Sequence, residues 1–153
     1  MFLELVNDTS EKYYAQPAMV LNVVNPENND QNFSDEDIFK TFCSIPDLKA
    51  IIIAGPEPMN KLDDLRAFIF SARKFFSPYA RPLIIVYTDY FEDELEGRNW
   101  LGVKCEFLLY GNVLLKYGRS FPTDYRMYKN RPLGIKLLGK SQEVYSYRGL
   151  QHE

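Results

Sequence analysis

The chain is poor in the residues that build metal centres and disulfide frameworks. Its 153 residues include only two cysteines, Cys43 and Cys105, and one histidine, His152. Two distant cysteines do not make a disulfide framework, which favours a reducing, cytoplasmic location. Neither has a histidine partner in view, so we expect both to be buried small hydrophobic residues rather than nucleophiles. Nucleotide-binding glycine loops, serine-hydrolase elbows and zinc motifs are also missing.

Long apolar runs are missing as well. No run approaches the roughly 20 residues that a membrane-spanning helix needs. The first residues carry neither the basic region nor the cleavage site of a signal peptide. The length predicts a single domain over residues 1–153, and we expect no membrane association. A hydrophobic content of 46% and a charged content of 25% are ordinary for a globular protein.

The net charge of −3 is unevenly distributed. Residues 1–109 carry 10 Lys/Arg against 18 Asp/Glu, whereas residues 110–153 carry 8 against 3. Arg and Tyr are enriched at binding hot spots, and both gather in this basic segment. We therefore predict a partner-binding face made of Arg119, Tyr125, Arg126, Lys129 and Arg131. The alternative is a solvated edge whose tyrosines pack on the sheet, and the excess is too weak to predict nucleic-acid binding.

Strand and helix patterns alternate along the chain, which predicts an α/β fold with a parallel sheet. Ser34 is predicted to cap the first helix, Asn60 the second, and Thr88 or Asp89 a short acidic third one. The predicted strands are Phe2–Val6, Pro17–Val24, Lys49–Ala54, Pro82–Thr88 and Val103–Tyr110, and the longest predicted helix is Lys61–Phe76. The last 40 residues show turn signals and little periodicity.

A buried strand runs directly into the turn Gly55-Pro56-Glu57-Pro58. The carboxyl ends of parallel strands are where α/β folds bind ligands. Glycine at this position lets the backbone approach a neighbour or ligand closely, so we expect Gly55→Val to harm folding or binding. The lone carboxylate of Glu57 has two interpretations, binding of an amine or capping of the helix that follows.

Four segments, in order, resemble the small radical S-adenosylmethionine (SAM) activating proteins of anaerobic ribonucleotide reductase and their phage-type relatives. The segment Ile53–Pro58 is similar to the family's Gly-Gly-x-Glu-Pro turn, Ile85–Tyr90 to its Tyr-Thr-Gly-Tyr strand end, Lys116–Pro122 to its Lys-x-Gly-Arg-Tyr/Phe-x-Pro segment, and Leu133–Gln142 to its Leu-Gly-Val-Lys-Leu ending. The resemblance implies a small partial radical-SAM-like sheet, an incomplete β/α barrel with helices packed on it. It also implies that Gly55, Glu57, Thr88 and Gln142 are cofactor-binding positions for SAM.

The departures from that family are chemical. Its Cys-x3-Cys-x2-Cys loop should follow the first long strand, yet residues 25–32 contain no cysteine and no histidine. Thiolates, with histidine as the usual substitute, hold iron–sulfur clusters. Ala54 also replaces the first glycine of the turn, and Asp89 replaces the glycine of the Tyr-Thr-Gly-Tyr motif. Without a cluster no electron reaches SAM, so radical chemistry is not expected.

The leading functional hypothesis is a non-catalytic, cluster-free relative that acts by binding, as a regulator or inhibitor of a protein partner and of phage type. The first alternative is a module that binds SAM or a nucleotide without a cluster. The second is an enzyme of another class, for which the sequence offers no catalytic constellation. No metal and no resident cofactor are expected under the leading hypothesis.

Overall fold

A computed structural model of the chain describes residues 3–6, 17–23, 34–96, 113–118, 128–130, 135–137 and 143–145. Within them the elements are strands β1 (Leu3–Val6) and β2 (Ala18–Val23), helix α1 (Asp35–Ser44), strand β3 (Ala50–Ala54), a 3₁₀ turn (Pro58–Lys61), helix α2 (Leu62–Phe75), strand β4 (Leu83–Tyr87), helix α3 (Glu92–Glu96), and strands β5 (Val113–Tyr117), β6 (Tyr128–Asn130), β7 (Ile135–Leu137) and β8 (Glu143–Tyr145). The predicted strand Val103–Tyr110 lies outside the described residues.

The main sheet has the strand order β1-β2-β3-β4-β5-β8. Strands β2 to β5 are mutually parallel, and β1 and β8 pair antiparallel at the two edges. Strands β6 and β7 form a separate antiparallel pair. The predicted α/β class with a parallel sheet is therefore confirmed at the level of four parallel strands in an open sheet with helices.

Both faces of the parallel strands are buried, which explains why their sequences are nearly continuous apolar runs. All five residues of β3 are buried. Alternate residues such as Ile51 and Ile53 join the core that contains α1 and α2, whereas Ile52 belongs to a second cluster on the opposite face. In the described part of the chain, no helix residue belongs to that second cluster. The described helices thus pack on one face only.

Aromatic rings fill the space between α1, α2 and the sheet. The Phe39 ring centroid lies 5.2 Å from that of Phe68 and 5.4 Å from that of Phe76. Tilted and edge-on ring pairs at these separations are favourable beyond the area that they bury. Ser34 caps α1 as predicted, because its hydroxyl accepts a hydrogen bond from the Asp37 amide at 3.1 Å.

Two predicted helix caps are wrong. Pro58 occupies the first position of the 3₁₀ turn, a place that proline favours, so the cap moves back from Asn60 to Glu57. The Thr88 hydroxyl does not cap α3, because it accepts its hydrogen bond from the Tyr90 amide. At the start of α3, the Phe91 amide donates to the Glu94 carboxylate instead.

Two further features depart from the sequence-based expectations. Strand β5 was not predicted, and all five of its residues are buried. Cys43 is exposed rather than buried, because it lies in the last turn of α1, where Ser44 and the following Ile45 are exposed as well. Among the described helices, none is both long and apolar enough to cross a membrane.

Candidate ligand site at the carboxyl edge of the parallel strands

The Glu57 carboxylate joins the ends of two neighbouring parallel strands. Thr88 Oγ1 lies 2.8 Å from both carboxylate oxygens and donates to them. The Asp89 amide donates to Oε1 at 2.9 Å, and the Met59 amide donates to Oε2 at 3.1 Å. Of the two interpretations of Glu57, the geometry shows the cap, since the carboxylate binds the Met59 amide at the start of the 3₁₀ turn. The same carboxylate also binds the loop after β4.

The topology explains why residues 31 positions apart in sequence meet here. Glu57 follows β3 and Thr88 follows β4, and these strands are parallel neighbours whose carboxyl ends share one edge of the sheet. Thr88 is only 2% exposed, so its hydroxyl requires a partner. The carboxylate supplies that partner, and hydrogen bonds to a charged group are stronger than neutral ones.

Further hydrogen bonds connect the loops at the carboxyl edge of the sheet. The Tyr90 hydroxyl donates to Asn60 Oδ1 at 2.7 Å, which links the loop after β4 to the 3₁₀ turn. The Thr88 amide donates to the Lys116 carbonyl at 2.9 Å, and the Gly118 amide donates to the Tyr90 carbonyl at 2.8 Å. Gly118 has φ 103°, a left-handed conformation that glycine adopts without steric cost. The ends of β3, β4 and β5 therefore form one hydrogen-bonded rim.

A polar row crosses the sheet just below this rim, on the face without described helices. In order across the sheet, the row consists of Asn22, Ala54, Tyr87 and Lys116. Asn22 pairs with Ala54 and Tyr87 pairs with Lys116, and Ala54 and Tyr87 each follow the last paired residues of β3 and β4. The row beneath it consists of the buried residues Val20, Ile52, Ile85 and Leu114. On strands β2 to β5, the polar residues of this face therefore lie at the carboxyl edge, where α/β folds bind ligands.

Lys116 is the unusual member of that row. It is 4% exposed, and its Nζ stands over the Tyr87 ring, 4.9 Å from the centroid. Burial lowers the pKa of Lys116 to about 8, against the opposing influence of the Asp89 and Glu57 carboxylates. Within the described residues, no carboxylate oxygen lies within 4.0 Å of this ammonium.

Gly55 does not play the close-packing role expected from the sequence. It is exposed, and a Cβ built on it would meet nothing within 4 Å. Its φ lies outside the left-handed range, so a side chain there would not strain the backbone. The predicted harm of a substitution to folding is therefore not supported, and the space beside Gly55 at the rim is open.

The structure brings Gly55, Glu57 and Thr88 together at one edge of the sheet, and their binding of a cofactor stays a prediction. The residues Gln142, Arg119, Tyr125, Arg126 and Arg131 lie outside the described part of the chain. Lys129 lies on β6, directly opposite Lys136 of β7 in the register. Sequence reasoning missed Lys116 as a site residue, although a lysine inside an otherwise apolar pentapeptide is a detectable signal.

No metal centre is assembled by the described residues, among which no group of three or more His, Cys, Asp or Glu side chains is placed to hold an ion. Residues 25–32 and Cys105 lie outside that part of the chain. Comparison with models of protein families, with curated proteins and with solved structures finds no match to this chain.

Proposed function

We propose that this chain is a cluster-free, radical-SAM-like protein that acts by binding a protein partner, as a regulator or inhibitor of phage type working in the cytoplasm. The observation that carries the proposal is the lack of any cysteine or histidine in residues 25–32, in a chain that keeps the order of the family's other segments. A sheet of this kind without cluster ligands retains surfaces for recognition but has no electron source for radical chemistry.

The fold is compatible with an opened β/α barrel, which is the finer architecture that we propose. The parallel strands β2 to β5 follow one another in sequence order across the sheet. The described helices contribute to the core on one face, and the opposite face is apolar beneath a polar carboxyl edge. In a barrel, that opposite face is the interior, and ligands bind at its carboxyl end.

The hydrogen bonds of Glu57 favour a role for this turn other than the binding of SAM. Its two oxygens already accept hydrogen bonds from Thr88, Asp89 and Met59. An amine that bound this carboxylate would compete with those donors. Asp89 also places a side chain where the resembled family has a bare glycine backbone. Both facts favour a protein-binding role over retention of the family's SAM site.

The basic C-terminal third is the surface that we assign to the partner. In the β6–β7 pair, Lys129 and Lys136 occupy directly opposed positions. Like charges directly opposite each other destabilise an antiparallel pair. An acidic partner surface would relieve that repulsion, so the opposed lysines support a binding role for this segment.

The test is a binding measurement with purified proteins. The first candidate partner is the anaerobic ribonucleotide reductase on which the resembled family acts, and others are captured on the immobilised chain and identified by mass spectrometry. Arg119, Arg126 and Arg131 are changed together to Ala. Affinity should fall and its salt dependence should weaken, because such charges act mainly through screened steering.

A matched control keeps the number of charges removed constant. Lys40, Arg66 and Lys74 are exposed cations on α1 and α2, and their joint change to Ala should leave affinity unchanged. The control variant should keep the wild-type stability within about 1 kcal/mol, since exposed charges contribute little. The free energy of unfolding of the arginine variant is measured beside it, so that a loss of affinity is read only from folded protein. Equal affinity and equal salt dependence of the two triple variants would reject the basic face.

Binding of SAM or a nucleotide is the second candidate function, and the open space beside Gly55 favours it. Calorimetric titration with SAM, S-adenosylhomocysteine and ATP tests it directly. Gly55→Ala places a methyl group in the open space without straining the backbone. A ligand that binds the wild type and loses affinity for this variant would move the assignment from a protein partner to a small molecule.

A further inference from the structure

Lys116 is the buried charged side chain of the described residues, and nothing in the rim or in the proposed partner surface uses it. Burying an ammonium is costly unless it is paired and hydrogen-bonded. Here the described carboxylates all lie beyond 4.0 Å, and the contact that Nζ makes is with the ring face of Tyr87. A lysine that serves only to fasten the fold would be expected to form a close ion pair with a carboxylate.

The position of Lys116 also suits a ligand. It lies in the last row of β5, on the face without described helices and at the carboxyl edge. Two strands away, at a spacing of about 4.8 Å per strand, the same edge of the sheet reaches the exposed Gly55. On the other side, the residue opposite Lys116 is Val144 of β8, which adds no charge. Among the described residues, the titratable groups that act on it or contact it are Asp89, Glu57 and the Tyr87 phenol.

We propose that Lys116 is a nucleophilic amine that captures a small aldehyde or ketone as an imine at the carboxyl edge of the sheet. The nucleophile is the uncharged amine, and desolvation in apolar surroundings is how proteins make a lysine reactive at neutral pH. Lys116 meets that requirement because it is buried, it lies over an aromatic ring, and no carboxylate of the described residues lies within 4.0 Å of its Nζ. This site is independent of the protein partner.

The reaction balances without an oxidant or a reductant. The Nζ lone pair forms a bond to the carbonyl carbon, and one proton passes from nitrogen to the carbonyl oxygen to give a carbinolamine. Protonation of the hydroxyl group then expels water as the C=N bond forms and the nitrogen loses its second proton. Asp89, whose charge raises the pKa of Lys116, is the carboxylate to which we assign the transfer of these protons between nitrogen and oxygen.

The experiment uses the folded wild-type chain with propanal and sodium cyanoborohydride, which traps an imine as a stable propyl amine. Peptide mapping by mass spectrometry follows labelling of each lysine with time at pH 7. With a pKa of about 8, about one Lys116 in ten is uncharged at that pH, against about one in three thousand for an ordinary lysine. Lys116 should be labelled at least about tenfold faster than the exposed Lys40 and Lys74.

A pH profile separates a reactive amine from a merely accessible one. The labelling rate of Lys116 should rise with a midpoint near pH 8 in the wild type. Asp89→Asn removes a negative charge that raises the pKa of Lys116, so its midpoint should move to lower pH. Asp63→Asn, a fully exposed aspartate on α2, should leave the midpoint unchanged.

Two results would overturn the proposal. One is labelling of the exposed lysines while Lys116 stays unmodified until the chain is unfolded in urea. The other is labelling of Lys116 at the rate and with the pH dependence of Lys40. Both would make Lys116 a structural lysine. Neither bears on the arginine variants, so this proposal and the partner proposal fail separately.

Discussion

Replacing Lys116 by Met should change how the stability of the protein depends on pH. Met keeps most of the volume of the lysine stem but carries no charge. The pKa of Lys116 is lowered by burial to about 8 in the folded state, against an unfolded value of about 10.5. Between these two values the unfolded chain binds more protons than the folded one, so the free energy of unfolding contributed by this group rises with pH.

The magnitude follows from the two pKa values. Relative to pH 7, the lysine adds about 2–3 kcal/mol to the free energy of unfolding at pH 10, because the buried amine is then uncharged in the folded state. The Met variant lacks this increase. It should therefore be the more stable protein at pH 7, relative to wild type, by a margin that shrinks as the pH rises.

The assay is urea denaturation of wild type and variant at several pH values from 7 to 10, followed by circular dichroism. Only the difference between the two proteins is interpreted, since other groups titrate equally in both. Lys74→Met is the matched control, because Lys74 Nζ also stands over a ring, 4.4 Å from the Phe70 centroid, but is exposed. The reasoning is refuted if the difference in free energy of unfolding between wild type and Lys116→Met does not change with pH, as is expected for the Lys74→Met control.

Three further substitutions test the rim and the core, each by the change in free energy of unfolding. Glu57→Gln should cost roughly 2–3 kcal/mol, because the Gln side chain has one accepting oxygen in place of the two that bind Thr88, Asp89 and Met59. Its control, Glu36→Gln in an exposed ion pair on α1, should cost less than about 0.5 kcal/mol. Equal costs for the two variants would show that the hydrogen bonds of Glu57 do not stabilise the rim. Gly55→Ala should change stability by no more than about 1 kcal/mol in either direction, because its Cβ meets open space, and a larger loss would show a close approach that the structure lacks. Phe39→Ala should cost about 3–5 kcal/mol, since its 1% exposed ring joins α1 to α2, and a loss below 1 kcal/mol would contradict that packing.

The sequence predicts the fold well where apolar runs are uninterrupted. Strands β2, β3 and β4 were anticipated because both faces of the sheet are buried there, which leaves an unbroken hydrophobic signature. Strand β5 was missed because Lys116 interrupts its apolar run. Charged residues usually lie at the surface, so a lysine within an apolar run does not indicate a buried strand, although its isolation among apolar residues marks it as unusual.

The sequence predicts where the site lies, but it does not predict which residues hydrogen-bond to one another there. Glycine, proline and glutamate after a buried strand indicate a functional or capping turn, and parallel pairing brings the next strand end beside it. The bond from Thr88 to Glu57 depends on the register of β3 against β4, which no local pattern encodes. The cap at Asn60 was misassigned for a related reason, since Pro58 starts the turn two residues earlier.

The proposed function rests on the expectation that this chain holds no iron–sulfur cluster. Its most direct test is anaerobic reconstitution with iron and sulfide, followed by desalting and measurement of iron and acid-labile sulfide per chain, with visible absorption as a second readout. We predict a colourless protein with far less than one iron per chain, since residues 25–32 offer no thiolate and no imidazole. A stable, redox-active cluster in stoichiometric amount would contradict the account.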